Sequence, residues 1–232
     1  MEKTAVALIP AREGSKSIPD KNLATLGKHS LVGHAVLQCI ESNVFNDIYV
    51  STDGQNIAKE GLKHGAKVHR RSKMLASDTS LVIDTVKQFI SELNNKATSK
   101  TPDFLALIEP TTPLRTPQNI IDCMKLICEG GYDSVATFRH AALNPNRAWK
   151  LHKGRPTPYF NQSDPWSPRQ KLEPSYQLSG SVYILDLNKF NDQTESLLFG
   201  HSGALIVDEK ISVDIDNQLD LDFVRFIHER QN

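Results

Sequence analysis

The sequence predicts an α/β fold, a mostly parallel sheet flanked by helices, and three observations point there. Short apolar runs suited to buried strands alternate with segments of helical period, a pattern that pairs strands in parallel through right-handed crossovers. The first run, Ala5 to Ile9, breaks at its carboxyl end into a cation-rich loop, and ligands of open α/β sheets sit at that end. A chain of 232 residues is long enough for one large domain with a real core.

Composition narrows the function classes. Lys+Arg and Asp+Glu number 27 each, so the formal charge is zero, which argues against a general nucleic-acid binder and a polybasic membrane surface. Any anion site must arise from local clustering. The apolar runs are too short to span a bilayer, and Met1-Glu2-Lys3 leads straight into the first strand, so neither a membrane span nor a signal peptide is expected. Cys39, Cys123 and Cys128 form no paired framework and stand at no metal-ligand spacing to a histidine; they read as buried free thiols of a cytoplasmic protein. No Gly-x-Ser-x-Gly occurs and no histidine joins a nucleophile motif, so covalent hydrolase chemistry has no support.

In order along the chain, the loop after the first strand carries Arg12, Lys16 and Lys21, with Gly14 and Ser15 between them. Such a set suits a polyphosphate, because backbone amides can cradle it while cations neutralise its charge. The bland alternative is a solvated basic loop. It is not a Walker loop, since Gly-x-x-x-x-Gly-Lys-Ser/Thr is absent. Residues 31–41 form a helix with Val32, Ala35, Val36, Cys39 and Ile40 on one face, and 47–51 a second strand. Asp53-Gly54 then favours a helix cap over a ligand contact, the helix 55–64 burying Ile57, Ala58 and Leu62 before Gly65. A third strand at 66–70 leads through Arg70-Arg71-Ser72 and a polar cluster, Asp78 to Ser80, into a helix carrying Val82, Val86, Phe89, Ile90 and Leu93.

A central strand at 104–108 ends in the proline-framed turn Glu109-Pro110-Thr111-Thr112-Pro113-Leu114-Arg115, and Thr116-Pro117 caps and opens the next helix. After a strand at 133–138, residues 139–176 lose periodicity and hold half of the twelve prolines, together with both tryptophans, Trp149 and Trp166. A long irregular excursion inside a compact domain calls for a function. The alternatives are an arm that buries its aromatics on a partner chain and a lid folding back on its own domain. Strands follow at 176–184, 204–207 and 211–216, and a last helix over 219–229 buries Phe223, Val224 and Ile227, with Asp220 and Asp222 as solvated first-turn charges. On a strand, Asp214 and Asp216 share a face and present two carboxylates to one point, as a hard divalent ion such as Mg²⁺ prefers.

The run Pro10-Ala11-Arg12-x-Gly14-Ser15-Lys16-x-Ile18-Pro19-x-Lys21-Asn22-Leu23 resembles the signature of the acylneuraminate (sialic acid) cytidylyltransferases, and further matches recur in that family's order over nearly the whole chain. The resemblance implies a single Rossmann-like, nucleotidyltransferase-type domain over residues 1–232. Residues 139–176 would be a dimerisation arm that completes the sugar site of a second subunit. It implies a CTP-dependent enzyme, a homodimer, that joins CMP to a 2-keto-3-deoxy nonulosonic acid for cell-surface polysaccharide and releases pyrophosphate. CTP and the keto-sugar acid are then the small-molecule partners, with Mg²⁺ as cofactor on Asp214 and Asp216. Arg12 and Lys21 would serve catalysis with that pair. Gly14, Ser15, Lys16 and Asn22 would seat the triphosphate, with Arg71, Ser80 and Asp78 at the nucleoside.

Glu109 and Thr111 stand in an element resembling the family's strand-Gln-Pro-Thr-Ser-Pro-Leu-Arg, beside the sugar. Lys150 and Arg169 become candidates for the substrate carboxylate, with Gln170 and Arg147 as helpers, since arginine matches a carboxylate bidentately. Tyr183 reads as either sugar wall or core. Four departures stand out: Glu13 and Ser17 in the loop, Ser179 where the family has asparagine, and Glu109 where it has glutamine. A carboxylate there implies an acceptor that differs from common sialic acid near this contact, one carrying an amino or amidino group or extra hydroxyl donors, unless Glu109 points elsewhere. Glu13 must point away from the phosphates. The competing readings are a Kdo-specific or other sugar nucleotidyltransferase, and a non-catalytic nucleotide-binding regulator.

Overall fold

The computed structural model describes residues 3–77, 80–95 and 101–231. At its centre lies β1 (Ala5–Pro10), a strand whose Ala7, Leu8 and Ile9 are fully shielded from solvent. The chain then forms a ribbon, β2 (Thr25–Leu26) and β3 (His29–Ser30), followed by α1 (Leu31–Ser42), β4 (Asp47–Thr52), α2 (Gln55–Lys63), β5 (Lys67–Arg70), α3 (Val82–Asn94), β6 (Phe104–Ile108), α4 (Pro117–Gly130) and β7 (Ser134–His140). An excursion carries β8 (Trp149–His152) and β9 (Arg155–Pro158); β10 (Tyr176–Asp186), β11 (Ser202–Ile206) and α5 (Gln218–Gln231) complete the molecule.

The large sheet has the order β11-β7-β10-β6-β1-β4-β5. β1 pairs in parallel with both β4 and β6, and β11 with β7, while β10 runs antiparallel between β6 and β7. Mostly parallel pairing is therefore what forms, as the alternation of strands and helices predicts. From β1 the chain steps outward through β4 and β5, then returns across α3 to β6 on the other side. That reversal opens a crevice between the carboxyl ends of β1 and β6.

Pleating sends alternate β1 side chains to opposite faces. Ala5, Ala7 and Ile9 pack with α1, α2 and α4, whereas Val6 and Leu8 pack with Val86, Phe89 and Leu93 of α3. Ser30 caps α1 by accepting the Gly33 N–H at 3.0 Å, and Thr116 with Asn119 closes a capping box on α4, with Pro117 at its first turn. Helix faces are where the structure departs from the sequence pattern. Gly61 of α2 lies so close to β4 that an added Cβ would stand 2.8 Å from Val50 Cγ2. The helix packs through Ile57, Ala58 and Gly61, which turns Leu62 outward. Ile40 and Phe223 are exposed rather than buried, the α5 stripe running through Leu221, Val224 and the half-buried Ile227. Cys39 and Cys123 are buried free thiols, while Cys128 is only partly covered.

Residues 139–176 are more ordered than their periodicity suggests. β7 runs on to His140 and β10 starts at Tyr176, so the excursion is rooted in two paired strands. Within it, β8 and β9 form a hairpin whose turn places Lys153 and Gly154 at φ 48° and 79°, the left-handed pair that a tight hairpin needs. No described helix is long and apolar enough to cross a membrane.

The contact at Gly61 sets a test. Alanine gains about 0.8–1 kcal/mol of helix propensity over glycine, but overpacking a filled core costs about 1–3 kcal/mol. Gly61→Ala is therefore expected to lower the thermal midpoint by a few degrees in calorimetry. An unchanged or raised midpoint would mean that α2 is not pressed against β4.

Candidate active site

The loop leaving β1 is pinned before it can be used. Ala11 still donates to Ser51 O at 2.9 Å, and Ile18 drops into a small core with Leu26, Leu31, Leu114 and Ile215. Asn22 Nδ2 reaches back to Arg12 O at 3.0 Å and closes the base of the loop. Asp53 does not cap α2, whose N-cap is Gly54 with no side-chain bond; it accepts the Glu13 N–H at 3.0 Å and ties the loop to β4. The Glu13 side chain lies along Gly54, outside the crevice lining. A Cβ at Gly14 would meet nothing within 4 Å, so packing within the chain does not demand glycine there.

The turn after β6 is clamped from inside. Arg115, only 2 % exposed, donates through Nη1 to Glu109 O, to Thr112 O at 3.0 Å and to Thr112 Oγ1 at 3.0 Å. Gln38 of α1 holds Pro113 O and Arg115 O from behind, each at 2.7 Å. The Glu109 side chain faces the crevice, and its carboxyl is pushed up to about 7 by burial and by Asp214, with Arg115, Arg71 and Lys21 opposing. Tyr183 of β10 stands near the same carboxylates; burial first, then Glu109 and Asp214, push its phenol up to about 12.

Residues 211–216 are not a strand. A short 3₁₀ turn, Glu209–Ile211, gives way to irregular chain outside any ladder, with Ser212 and Ile215 buried three apart. One backbone bond, Ile215 N to Thr111 O at 2.8 Å, joins it to the proline turn, and Lys21 Nζ donates to Ile215 O at 2.7 Å. Asp214 and Asp216 nonetheless lie near each other. Asp214 is open to solvent along one edge, yet burial raises its pKa; a hydrogen bond from Thr111 opposes this, Asp216 adds to it, and Lys21 opposes it. Gly180 beside Asp214 is called for by its backbone, at φ 72° in a bulge of β10, rather than by space, since an added Cβ would sit in ordinary contact 3.5 Å from Asp214 Oδ2. Asp220 is not a merely solvated charge, because its Oδ2 accepts the N–H groups of Asp216 at 2.9 Å and Asn217 at 3.0 Å.

These elements enclose a cleft of about 440 Å³ at the β1–β6 crevice. Arg12, Gly14, Ser15, Lys16, Lys21, Asn22, Arg71, Ser80, Glu109, Thr111 and Asp216 all line it. Arg71 is held by Ser51, Nη2 donating to its carbonyl at 3.1 Å; burial lowers its pKa, while Asp53 and Glu109 oppose. Ser80 does not cap α3, whose N-cap is Leu81, and its hydroxyl is buried without a hydrogen-bond partner among the described residues. Asp78 lies outside the described residues. Lys150, Arg169 and Gln170 are not at this cleft. Lys150 Nζ stacks 4.9 Å over the Tyr159 ring, Arg169 lines a separate hollow of about 510 Å³ with Trp149 and Trp166, and Gln170 is exposed in a 3₁₀ turn.

Among the described residues no group of three or more His, Cys, Asp or Glu side chains forms a metal cage. Two crowded carboxylates at the mouth of a basic cleft nonetheless suit a hard cation that keeps other oxygens in its shell. Sequence reasoning missed Asp53, Gln38, Arg115 and Asp220. Only Asp220 carried a signal, as a carboxylate four residues after Asp216 at a helix start.

The fold is that of nucleotidyltransferases. It matches the solved structure of a CMP:2-keto-3-deoxy-manno-octonic acid synthetase complexed with CTP, at TM-score 0.72 over 99% of this chain and 100% of the other, with 14% identity. The chain itself belongs to the cytidylyltransferase family, whose model matches residues 6–187. It is 30% identical over 224 residues to the CMP-N,N'-diacetyllegionaminic acid synthase of Legionella pneumophila, covering 93% of this chain and 92% of that protein. It is 40% identical over 151 residues to the N-acylneuraminate cytidylyltransferase A of Danio rerio, covering 64% of this chain and 33% of the longer fish protein.

Glu109 sets a pH test in the metal-free protein. A carboxyl raised in the folded state binds its proton more tightly there than when unfolded, so its contribution falls as pH climbs from the ordinary carboxylate range towards about 7. Glu109→Gln removes that slope. Its thermal midpoint should match wild type near about pH 5 and exceed it by a few degrees near about pH 8. A gap that does not widen with pH would place Glu109 in ordinary solvent.

Proposed function

We propose that this chain transfers CMP from CTP to the anomeric hydroxyl of a 2-keto-3-deoxy nonulosonic acid, releasing pyrophosphate. The observation that carries the reading is the cleft at the β1–β6 crevice, where the cations of one loop face Asp216 and, through Thr111, Asp214. The relative from Legionella, by its name a synthase of a CMP-nonulosonic acid, supports the same acceptor class.

The hydroxyl oxygen forms a bond to the α-phosphorus as the bridge to the β-phosphate breaks. Pyrophosphate leaves with the electron pair, and the hydroxyl proton passes to solvent. Arg12, Ser15, Lys16 and Lys21 offset charge on the triphosphate, and Asn22 holds the loop that presents them. Arg71 and the buried Ser80 hydroxyl, which has no partner among the described residues, supply donors for the nucleoside. Asp214 and Asp216 would hold Mg²⁺, which supplies charge neutralisation at the phosphate under attack. Glu109, with its carboxylate in the cleft, favours an acceptor bearing an amino, amidino or hydroxyl donor.

The arm docks on a second copy, so that Arg169, Lys150 and Gln170 of each arm reach the partner's acceptor site. What supports this is the exposure of Trp166 at 83 % and of Leu151, Tyr159 and Phe160 beside it, which leaves large apolar side chains uncovered in one chain. Unpaired thiols suit a reducing cytoplasm.

Pyrophosphate release from CTP across a panel of sialic, legionaminic, pseudaminic and Kdo acids tests the reading; CTP binding without turnover on any of them would leave a regulatory binder. Asp216→Asn should cost about 10²-fold or more in kcat with the thermal midpoint nearly unchanged. Gly14→Ala, free of clash within the chain, should raise KM for CTP while stability holds. Full activity in Asp216→Asn would sink the metal role. Trp166→Ser should shift the sedimentation of the native assembly towards the monomer, and an unaltered profile would count against the arm.

A further inference from the structure

Arg115 takes no part in the chemistry assigned so far, yet it is the largest fully enclosed side chain among the described residues. Among the described residues no carboxylate pairs with it at salt-bridge distance, every hydrogen bond of its side chain ends on Glu109 or Thr112, and its Nε and Nη2 have no partner. A buried guanidinium whose opposing charge, Glu109, stays beyond salt-bridge distance is costly, and fold stability alone would be served as well by an apolar side chain of similar volume. What its Nη1 does is set the shape of one turn, by meeting Glu109 O, Thr112 O and Thr112 Oγ1 together. Gln38 grips the far limb of that turn at Pro113 O and Arg115 O.

That turn carries the latch between the two halves of the cleft. Thr111 O receives the Ile215 N–H at 2.8 Å, the Thr111 side chain hydrogen-bonds Asp214, and Lys21 Nζ meets the other side of the same peptide segment at Ile215 O. The distance from the acid pair to the basic loop therefore depends on where residues 109–112 sit. We infer that Arg115 is a positioning residue for phosphoryl transfer, gripping the carbonyls of Glu109 and Thr112 so that Thr111 holds Asp214 and Asp216 at working distance from Lys21. This rests on the transfer reaction proposed above.

A lysine at this position keeps the charge but ends one atom short of Nη1, so Arg115→Lys should lose the grip on the Glu109 and Thr112 oxygens and slip the turn without emptying the core. Gln38→Leu loosens the same turn from behind, at a residue that touches no part of the cleft lining. In both variants kcat on the acid panel should fall about tenfold or more, KM for CTP should stay within about twofold, and half-saturation by Mg²⁺ should rise. Hydrogen exchange on the substrate-free protein gives a readout independent of turnover. The Ile215 amide should exchange faster in both variants, while the amides of α2 keep their wild-type rates. Unchanged exchange at Ile215, or an exchange gain spread evenly over the molecule with activity lost only in step with folded fraction, would overturn the positioning role. An inactive wild type with the Ile215 effect intact would instead remove the proposed reaction and leave the clamp standing.

Discussion

Ile215 joins the cleft together through three separate contacts. Its N–H goes to Thr111, its carbonyl takes the Lys21 ammonium, and its side chain is fully buried with Ile18, Leu114 and Leu221. One residue thus ties the C-terminal acid segment to the proline turn and to the basic loop, which arrive from distant parts of the chain. Without it, Asp214 would keep only its Thr111 contact and Asp216 only its bond to Asp220, with nothing tying either to the basic loop. Buried apolar packing supplies the affinity of the joint, and the two backbone bonds give it direction.

A chain of zero formal charge can still bind a polyanion because the separation of charge is local. Arg12, Lys16 and Lys21 sit within ten residues on one loop; Asp53 engages that loop through a backbone N–H, and Glu13 lies folded along Gly54. The acids gather on the opposite wall. Glu109 lies between the two groups, which is why its proton affinity is so balanced: burial and Asp214 favour the neutral form, while three cations favour the charged one. Any ligand that neutralises Asp214 must therefore also ease Glu109 towards its charged form, so the two carboxylates respond to the cleft's contents as a pair.

The basic loop was readable in the sequence because its chemistry is contiguous and starts where a strand stops. The acid pair was readable as chemistry but not as conformation. Alternation at Ile211, Val213 and Ile215 imitates a strand, yet apolar spacing records only which side chains are covered, and here burial falls on Ser212 and Ile215 with no ladder beside them. Leu62 misled for a related reason: the close approach of Gly61 to Val50 decides which face of α2 packs, and a glycine adds nothing to a hydrophobic pattern. Arg115 and Gln38 were invisible because what matters is their reach to main-chain carbonyls, which no residue type advertises. The β8–β9 hairpin went unread because all its strand residues but Pro158 are exposed, so no alternation exists to detect.

That last point bears on what the excursion is for. Its root is rigid: β7 and β10 continue pairing through His140 and Tyr176, whose rings lie 4.8 Å apart. Its outer part is a hairpin whose aromatics touch one another, Trp149 against Trp166 and Tyr159 against Phe160, while much of their surface stays wet. A lid that closed on its own domain would have its apolar side chains facing the cleft, and none of these four lines it. A strand-paired stalk with an uncovered apolar head fits the proposed docking better than closure on the chain's own cleft. On the docking proposed above, Arg169 and Lys150 would serve the cleft of the second copy, which fits their distance from the cleft of the chain that carries them.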